Sequence, residues 1–311
     1  MALPKFQEIV AVSIIFVLQL TQASGEVLRL RVATYNVGNY NAADRMTDGG
    51  YRKDYPKQED EKQALKRVIG AMNADIIAFQ EMGPQPYLEE LRRDLRNEGL
   101  NYPYLALVEG SDPERHVALL SKVPLKRSVS HANLDYKYFD ARERVKRGVL
   151  EAVFETPSGE FTLWVLHLKS RITERSDDPS SALKRAAEAV AIRDMILRRH
   201  PDPAKALYLV AGDFNDAKGN RPVRALLGRG NTAISLLLPA SDSRSERWTH
   251  HNMKDDSYER VDHILASPAL IRHIASPTGE AKIADTPETL IASDHRPVWV
   301  TLDFARHDNA D

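Results

Sequence analysis

A chain of 311 residues, 42% hydrophobic and 28% charged, has the length and apolar content of one well-packed α/β domain, with little left over for a second. Its formal net charge of −1 excludes a wholesale attraction to polyanions, so any recognition of phosphate has to be local. The absence of cysteine excludes disulfides, thiolate metal sites, cysteine lipidation and cysteine nucleophiles.

Residues 1–25 read as a secretory signal. Lys5 supplies a positive charge, Ile9 to Leu20 form an apolar stretch, and the small residues Ala23, Ser24 and Gly25 suit a cleavage site. The stretch is shorter than the ~20 apolar residues that span a bilayer. Cleavage and export, to the periplasm or the medium, are therefore expected, with no stable membrane span afterwards. Residues 26–305 are expected to form one domain and 306–311 a short tail, because no Gly/Ser linker, low-complexity tract or fixed-period repeat interrupts the chain.

Leu28, Leu30 and Val32 alternate with Arg29 and Arg31, the period-two pattern of a half-buried strand that runs into Tyr35-Asn36. Leu65, Val68, Ile69 and Met72 then fall on one face of a helix. A short apolar strand over Asp75–Phe79 follows and stops at Gln80-Glu81. The unit repeats: Phe161 to Leu168 predicts a strand ending at His167-Leu168-Lys169-Ser170. Ser181 to about His200 predicts a helix, and Ala206 to Ala211 a buried strand ending at Gly212-Asp213-Phe214-Asn215. Val261–Ala266 and Pro297–Phe304 predict two more strands, the first carrying Asp262 and the second preceded by Asp294-His295. One such polar strand end is usually a cap or a turn. Five of them converge, because strand ends in layered α/β folds meet at one edge of the sheet, where ligand sites form.

Six stretches, in this order, resemble the endonuclease/exonuclease/phosphatase superfamily, the DNase I-like proteins. They are Ala33-Thr34-Tyr35-Asn36-Val37, Phe79-Gln80-Glu81, His167-Leu168-Lys169-Ser170, Gly212-Asp213-Phe214-Asn215, Arg260-Val261-Asp262-His263-Ile264-Leu265 and Ser293-Asp294-His295-Arg296-Pro297-Val298. Gly-Asp-Phe-Asn and Ser-Asp-His-Arg-Pro are the most specific of them. The resemblance implies a four-layered α/β/β/α sandwich with two mixed β-sheets and a site at one end.

Cleaving a phosphoester needs neutralisation of the non-bridging oxygens, an oriented water and a stabilised leaving oxygen. Glu81 and the amide oxygen of Asn36 are the hard ligands expected for Mg²⁺, with Mn²⁺ or Ca²⁺ as alternatives, and Asp294 adds a ligand directly or through water. Asp262 and His295 are expected to form a carboxylate–imidazole pair. Asp213 would orient the attacking water, Asn215 would donate its amide to a phosphate oxygen, and His167 would donate to a phosphoryl oxygen or the leaving group. Either Asp213 or His295 would serve as the base. His250, His251 and His263 are read as loop or structural residues, with Trp248-Thr249-His250 placed to line the pocket.

For substrate, Arg142, Arg144, Lys146, Arg147, Lys169, Arg171 and Arg175 form two basic clusters that either hold phosphate or balance nearby acids in solvent. Arg147, at the start of its strand, is the best single candidate. Tyr40, Tyr51 and Tyr55, read as loop residues, are candidates for stacking on a base. The expected activity is an exported, metal-dependent phosphoesterase, foremost an endonuclease or phosphodiesterase acting on nucleic acid. The alternatives are a phosphomonoesterase, a sphingomyelinase-like phospholipid phosphodiesterase and a non-catalytic phosphate-ligand binding protein. No protein partner is evident.

Overall fold

The computed structural model describes residues 27–173 and 175–305. The expected signal segment and the short C-terminal tail lie outside the described residues. Among the described residues, no helix is long and apolar enough to cross a membrane.

Thirteen strands build two mixed sheets. They are β1 (Leu28–Tyr40), β2 (Ile76–Met82), β3 (Tyr104–Val108), β4 (His116–Ser121), β5 (Arg127–Ser130), β6 (Val149–Thr156), β7 (Gly159–His167), β8 (Leu207–Asp213), β9 (Leu236–Leu237), β10 (Ala240–Ser241), β11 (Asp262–Ala266), β12 (Ala281–Ile283) and β13 (Val298–Phe304). The first sheet runs β10-β12-β13-β1-β2-β4-β3 and the second β9-β11-β8-β7-β6-β5. β1 lies parallel to β2 and antiparallel to β13; β7 lies parallel to β8, which pairs antiparallel with β11.

Helices cover both outer faces. α1 (Glu59–Met72) and α2 (Gln85–Asn97) bury Leu65, Val68, Ile69, Leu88 and Leu91 against the first sheet. Acidic residues Glu59, Asp60 and Glu61 fill the first turn of α1, where the helix dipole favours negative charge. α3 (Ala182–Arg199) and α4 (Arg221–Leu227) cover the second sheet through Ala189, Ile192, Ile196, Val223 and Leu226. The result is the four-layered α/β/β/α sandwich that the sequence implied.

Between the sheets, Leu30, Val32, Ile76, Ala78, Leu150, Phe154, Phe161, Leu163, Val165, Leu209, Ile264 and Val300 form one core. Each Leu, Ile, Val or Phe among them contributes roughly 1.5–3 kcal/mol of transfer free energy on burial. The alternation that makes this core also aims the polar ends. Leu30 and Val32 face inward, so two steps of two along the same strand bring Asn36 to the inner side. Phe161, Leu163 and Val165 lead to His167; Leu207, Leu209 and Ala211 lead to Asp213; Ala266 and Ile264 lead back to Asp262. Strand parity therefore delivers four polar side chains to the space between the sheets at one end of the sandwich.

Candidate active site

Two local departures from regular strand geometry complete this end. Glu81 has the parity of an outward residue, yet β2 loses register between Phe79 and Met82, and Glu81 sits at φ +58°. Such a bulge re-aims a side chain. Its Oε2 accepts the backbone N–H of Asn39 (3.1 Å), which binds it to the irregular end of β1. Gly212, at φ +154°, lets β8 approach β7 so closely that an added Cβ would lie 1.9 Å from Leu166 O. Only glycine fits there, and the next residue is Asp213.

Asp213 is fully buried and is the hub of the cluster. Its Oδ2 accepts from Nδ2 of Asn36 (3.1 Å) and Nδ2 of Asn215 (3.2 Å), with Nε2 of His167 at 3.4 Å and Nε2 of His295 at 4.0 Å. Its Oδ1 accepts the Asn215 backbone N–H at 2.7 Å. Burial, together with the negative charges of Asp262 and Glu81, pushes its carboxyl up to about 7 against the opposing effect of His295.

His295 points Nδ1 at Asp262 Oδ2, 2.8 Å away. Burial alone would lower its pKa, but the Asp262 charge and hydrogen bond, with Asp213 and Asp294 behind them, raise it well above the ordinary value. Its backbone N–H donates to Ser293 Oγ (3.1 Å), and that hydroxyl donates to Asn36 O (2.8 Å), which ties the two sheet-end segments together. Thr249 Oγ1 receives the N–H groups of Val261 and Asp262 and fixes the start of β11. His167 is buried, and desolvation with the nearby Arg147 charge holds it well below its ordinary value, as a neutral ring.

Sequence-expected positions behave unequally. Both Nδ2–H groups of Asn215 are used inside the protein, on Leu168 O (3.0 Å) and Asp213. That amide braces the turn, where donation to substrate had been expected. Arg147 is buried with Nε 3.2 Å from Asp112 Oδ2, yet its Nε and Nη1 make no hydrogen bond. Arg142 and Arg175 are solvated pairs with Asp135 and Asp177. Tyr40 belongs to β1 and is buried, its hydroxyl on Glu90, because the strand extends past Asn36; it is not available for stacking. Tyr51 and Tyr55 are exposed, on a hairpin (Ala42–Thr47 with Gly50–Pro56) where a loop was expected.

His250, read as a loop residue of a stretch that could line the pocket, stands beside His295. It opens a short hairpin (His250–Asn252 with Ser257–Glu259), its ring lies 4.5 Å from that of His295, and its Nε2 stands 3.7 Å from Asp294 Oδ2. Asp213, Asp262 and His295 form one group whose ligand atoms all lie within 4.8 Å, and His250, Asp294 and His295 form another. In contrast, Arg296 of the Ser-Asp-His-Arg-Pro stretch turns away. Its Nη2 bonds buried Asp242 (2.6 Å), Nε bonds Ala284 O (2.8 Å), and the guanidinium stacks on Trp248. This arginine clamps the segment that carries Thr249 and His250.

The residues suit a hard divalent cation. Oδ1 of Asn36 faces the Gly38 N–H (3.1 Å), and a Cβ at Gly38 would meet Asp294 Oδ1 at 3.6 Å. Asn36, Glu81 and Asp294 each border the Asn36–Asn39 segment with a side-chain oxygen, the hard donor type such a cation takes.

No curated protein matches the chain by sequence. Among solved structures it is similar to an endonuclease/exonuclease/phosphatase from Bacteroides vulgatus (17% identity, TM-score 0.63, covering 89% of this chain and 99% of that one). It is similar to sphingomyelinase C from Streptomyces griseocarneus (16%, 0.58, 88% and 99%). It also resembles a double mutant of beta toxin from Staphylococcus aureus with bound magnesium ions (16%, 0.58, 89% and 100%). These likenesses concern the fold. The sequence pattern of the Endonuclease/Exonuclease/phosphatase family matches residues 33–295, and the chain belongs to that family.

Proposed function

We propose that the protein is an exported phosphodiesterase dependent on a divalent cation, with nucleic acid as its substrate. The observation that carries the reading is the buried convergence of Asp213 at the end of β8, Asp262 at the start of β11 and His295 just before β13, with ligand atoms within 4.8 Å. Clustering charge in a desolvated pocket is costly, and such clusters are the mark of a reactive site. Export rests on the pattern of residues 1–25.

Asn36, Glu81 and Asp294 would hold Mg²⁺, Mn²⁺ or Ca²⁺, which when bound neutralises phosphoryl oxygens and lowers the pKa of water. Asp213 Oδ2 orients the attacking water and receives its proton. Asn36 and Asn215 fix that oxygen in place. Asp262 holds the Nδ1–H of His295, leaving Nε2–H to stabilise charge that develops on phosphorus-bound oxygen. His167 and Arg147 supply further donors. The ester P–O bond breaks as the water oxygen bonds to phosphorus, and the departing oxygen is protonated.

A second reading, phospholipid headgroup hydrolysis, is favoured by one observation. Ile172 (79% exposed), Met253 (79%) and Met46 (74%) are the most exposed large apolar side chains among the described residues. Ile172 follows the His167 end of β7, Met46 follows β1, and Met253 lies at the turn of the hairpin that carries His250. Hydrolysis of bis-p-nitrophenyl phosphate with Mg²⁺, Mn²⁺ or Ca²⁺, and with EDTA, tests the shared chemistry. Turnover abolished by EDTA is expected. Turnover unaffected by EDTA, or none with any of the metals, would overturn the proposal.

A further inference from the structure

A groove of about 1280 Å³ lies along the β9–β11 edge of the second sheet, beside the catalytic end. Seven cations line it: Arg171, Arg185, Lys218, Arg221, Arg224, Arg247 and Arg260. The acids there are partly spent. Asp216 is taken by Arg185 (3.0 Å) and Glu259 by Arg171, leaving Glu280. Among the described residues, the side chains of Lys218, Arg221, Arg224 and Arg247 have no ion pair or hydrogen bond. Arg260 keeps a buried Nε without a partner while its Nη2 bonds Leu238 O (2.8 Å).

Elsewhere Arg29, Lys126, Arg142 and Arg175 each meet a carboxylate. On a chain of net charge −1, several unpaired cations in one groove repel one another, and a bound polyanion relieves that repulsion. Leu183, Pro222, Leu237 and Pro239 give the groove apolar walls as well, a surface against which sugars and base faces pack.

The groove adjoins the reactive cluster without being part of it. Arg171 Nε donates to Asn215 O (3.3 Å), and Asp216 is the residue after Asn215. His263, bonded through Nε2 to Asp216 O (2.9 Å), lines the groove on the opposite side of β11 from Asp262. Its volume exceeds the ~300–1,000 Å³ of a small-ligand site. A phospholipid headgroup diester brings one phosphate, which the catalytic pocket would occupy; this groove asks for further phosphates at a distance.

We infer that the groove binds the nucleic-acid strand flanking the scissile phosphate, with Lys218, Arg221, Arg224 and Arg247 on its phosphates. The inference deepens the phosphodiesterase reading and rests on it for what happens at the catalytic end, but binding is measured without turnover. The probe is a fluorescent single-stranded oligonucleotide in EDTA, titrated by anisotropy at several salt concentrations. Arg221 and Arg247 are exposed, so Arg221→Glu/Arg247→Glu leaves the core alone. The double variant is expected to bind about tenfold more weakly, with a log–log salt slope shallower by about 1.4 for two lost single-strand phosphate contacts. Its hydrolysis of bis-p-nitrophenyl phosphate is expected to stay at the wild-type level. Wild-type oligonucleotide affinity and slope in the variant would overturn the groove assignment. So would a loss of binding to anionic phospholipid vesicles in place of oligonucleotide. Failure of the wild-type protein to hydrolyse the small diester would strike the phosphodiesterase reading and leave the binding result standing.

Discussion

Asp262 Oδ2 lies 2.8 Å from His295 Nδ1, both groups buried, while the opposite ring nitrogen faces Asp213. The carboxylate therefore orients the ring and favours its charged form, with Nε2–H turned toward Asp213. Asp262→Asn keeps the shape and removes the charge. Turnover of a diester is expected to fall at least 100-fold, the lower range for lost acid/base assistance, with KM little changed. Steady-state kinetics with a circular dichroism check measures this; near-normal turnover would place the chemistry elsewhere.

Glu81 sits at φ +58°, a conformation that costs a non-glycine residue on the order of 1–3 kcal/mol. Glycine adopts it freely but loses the carboxylate. Glu81→Gly is expected to keep the unfolding free energy within about 1 kcal/mol of wild type, since glycine's greater unfolded-state entropy offsets the relief. The metal concentration for half-maximal activity should rise at least about tenfold. An unchanged metal titration contradicts the ligand role.

Gly212 is the reverse case, a glycine required by backbone contact. A methyl group there meets Leu166 O at 1.9 Å, so Gly212→Ala must part β7 from β8 directly beside Asp213. A loss of about 3 kcal/mol is expected from strain at such a position, together with reduced turnover. Denaturant unfolding measures it, and a wild-type midpoint would show that the strands separate at no cost.

Glu151 is buried on β6 among His131 (3.1 Å), Arg127 (3.0 Å) and Arg199 (3.0 Å). Burial by itself raises its carboxyl, but these three hydrogen bonds and the Arg199 charge hold it down to about 2 from an ordinary 4.5. The unfolded chain takes up this proton near pH 4.5 and the folded chain only near 2. The stability the group confers is therefore complete above pH 4.5 and is lost as the pH falls toward 2. Glu151→Gln is expected to lower the melting temperature at pH 6 and to flatten its decline between pH 4.5 and 2.5. An equally steep decline in the variant would assign that acid sensitivity to other carboxylates.

Strand parity made much of this legible in the sequence. Asn36, His167, Asp213 and Asp262 continue alternations that the apolar residues begin, so the same pattern that predicts the sandwich core predicts which polar groups share its end. Glu81 is visible as a carboxylate closing an apolar run, but the bulge that turns it is not, because no sequence pattern marks φ +58° at a glutamate. His250 follows no alternation; its place beside His295 depends on a three-residue strand and on the Arg296–Asp242 clamp, both long-range. Tyr40 misled because a strand that passes its own polar residue reads as a loop. The basic groove draws cations from positions 171 to 260, which are clustered only once α3, α4 and β11 have packed.

The central claim is metal-dependent cleavage of nucleic acid at the His295 site. Supercoiled plasmid incubated with the protein in Mg²⁺, in EDTA, and with the His295→Ala variant in Mg²⁺ tests it in one gel. Nicking in Mg²⁺ alone, absent with EDTA and in the variant, is the predicted result. No nicking by the wild-type protein, or equal nicking by His295→Ala, would contradict it.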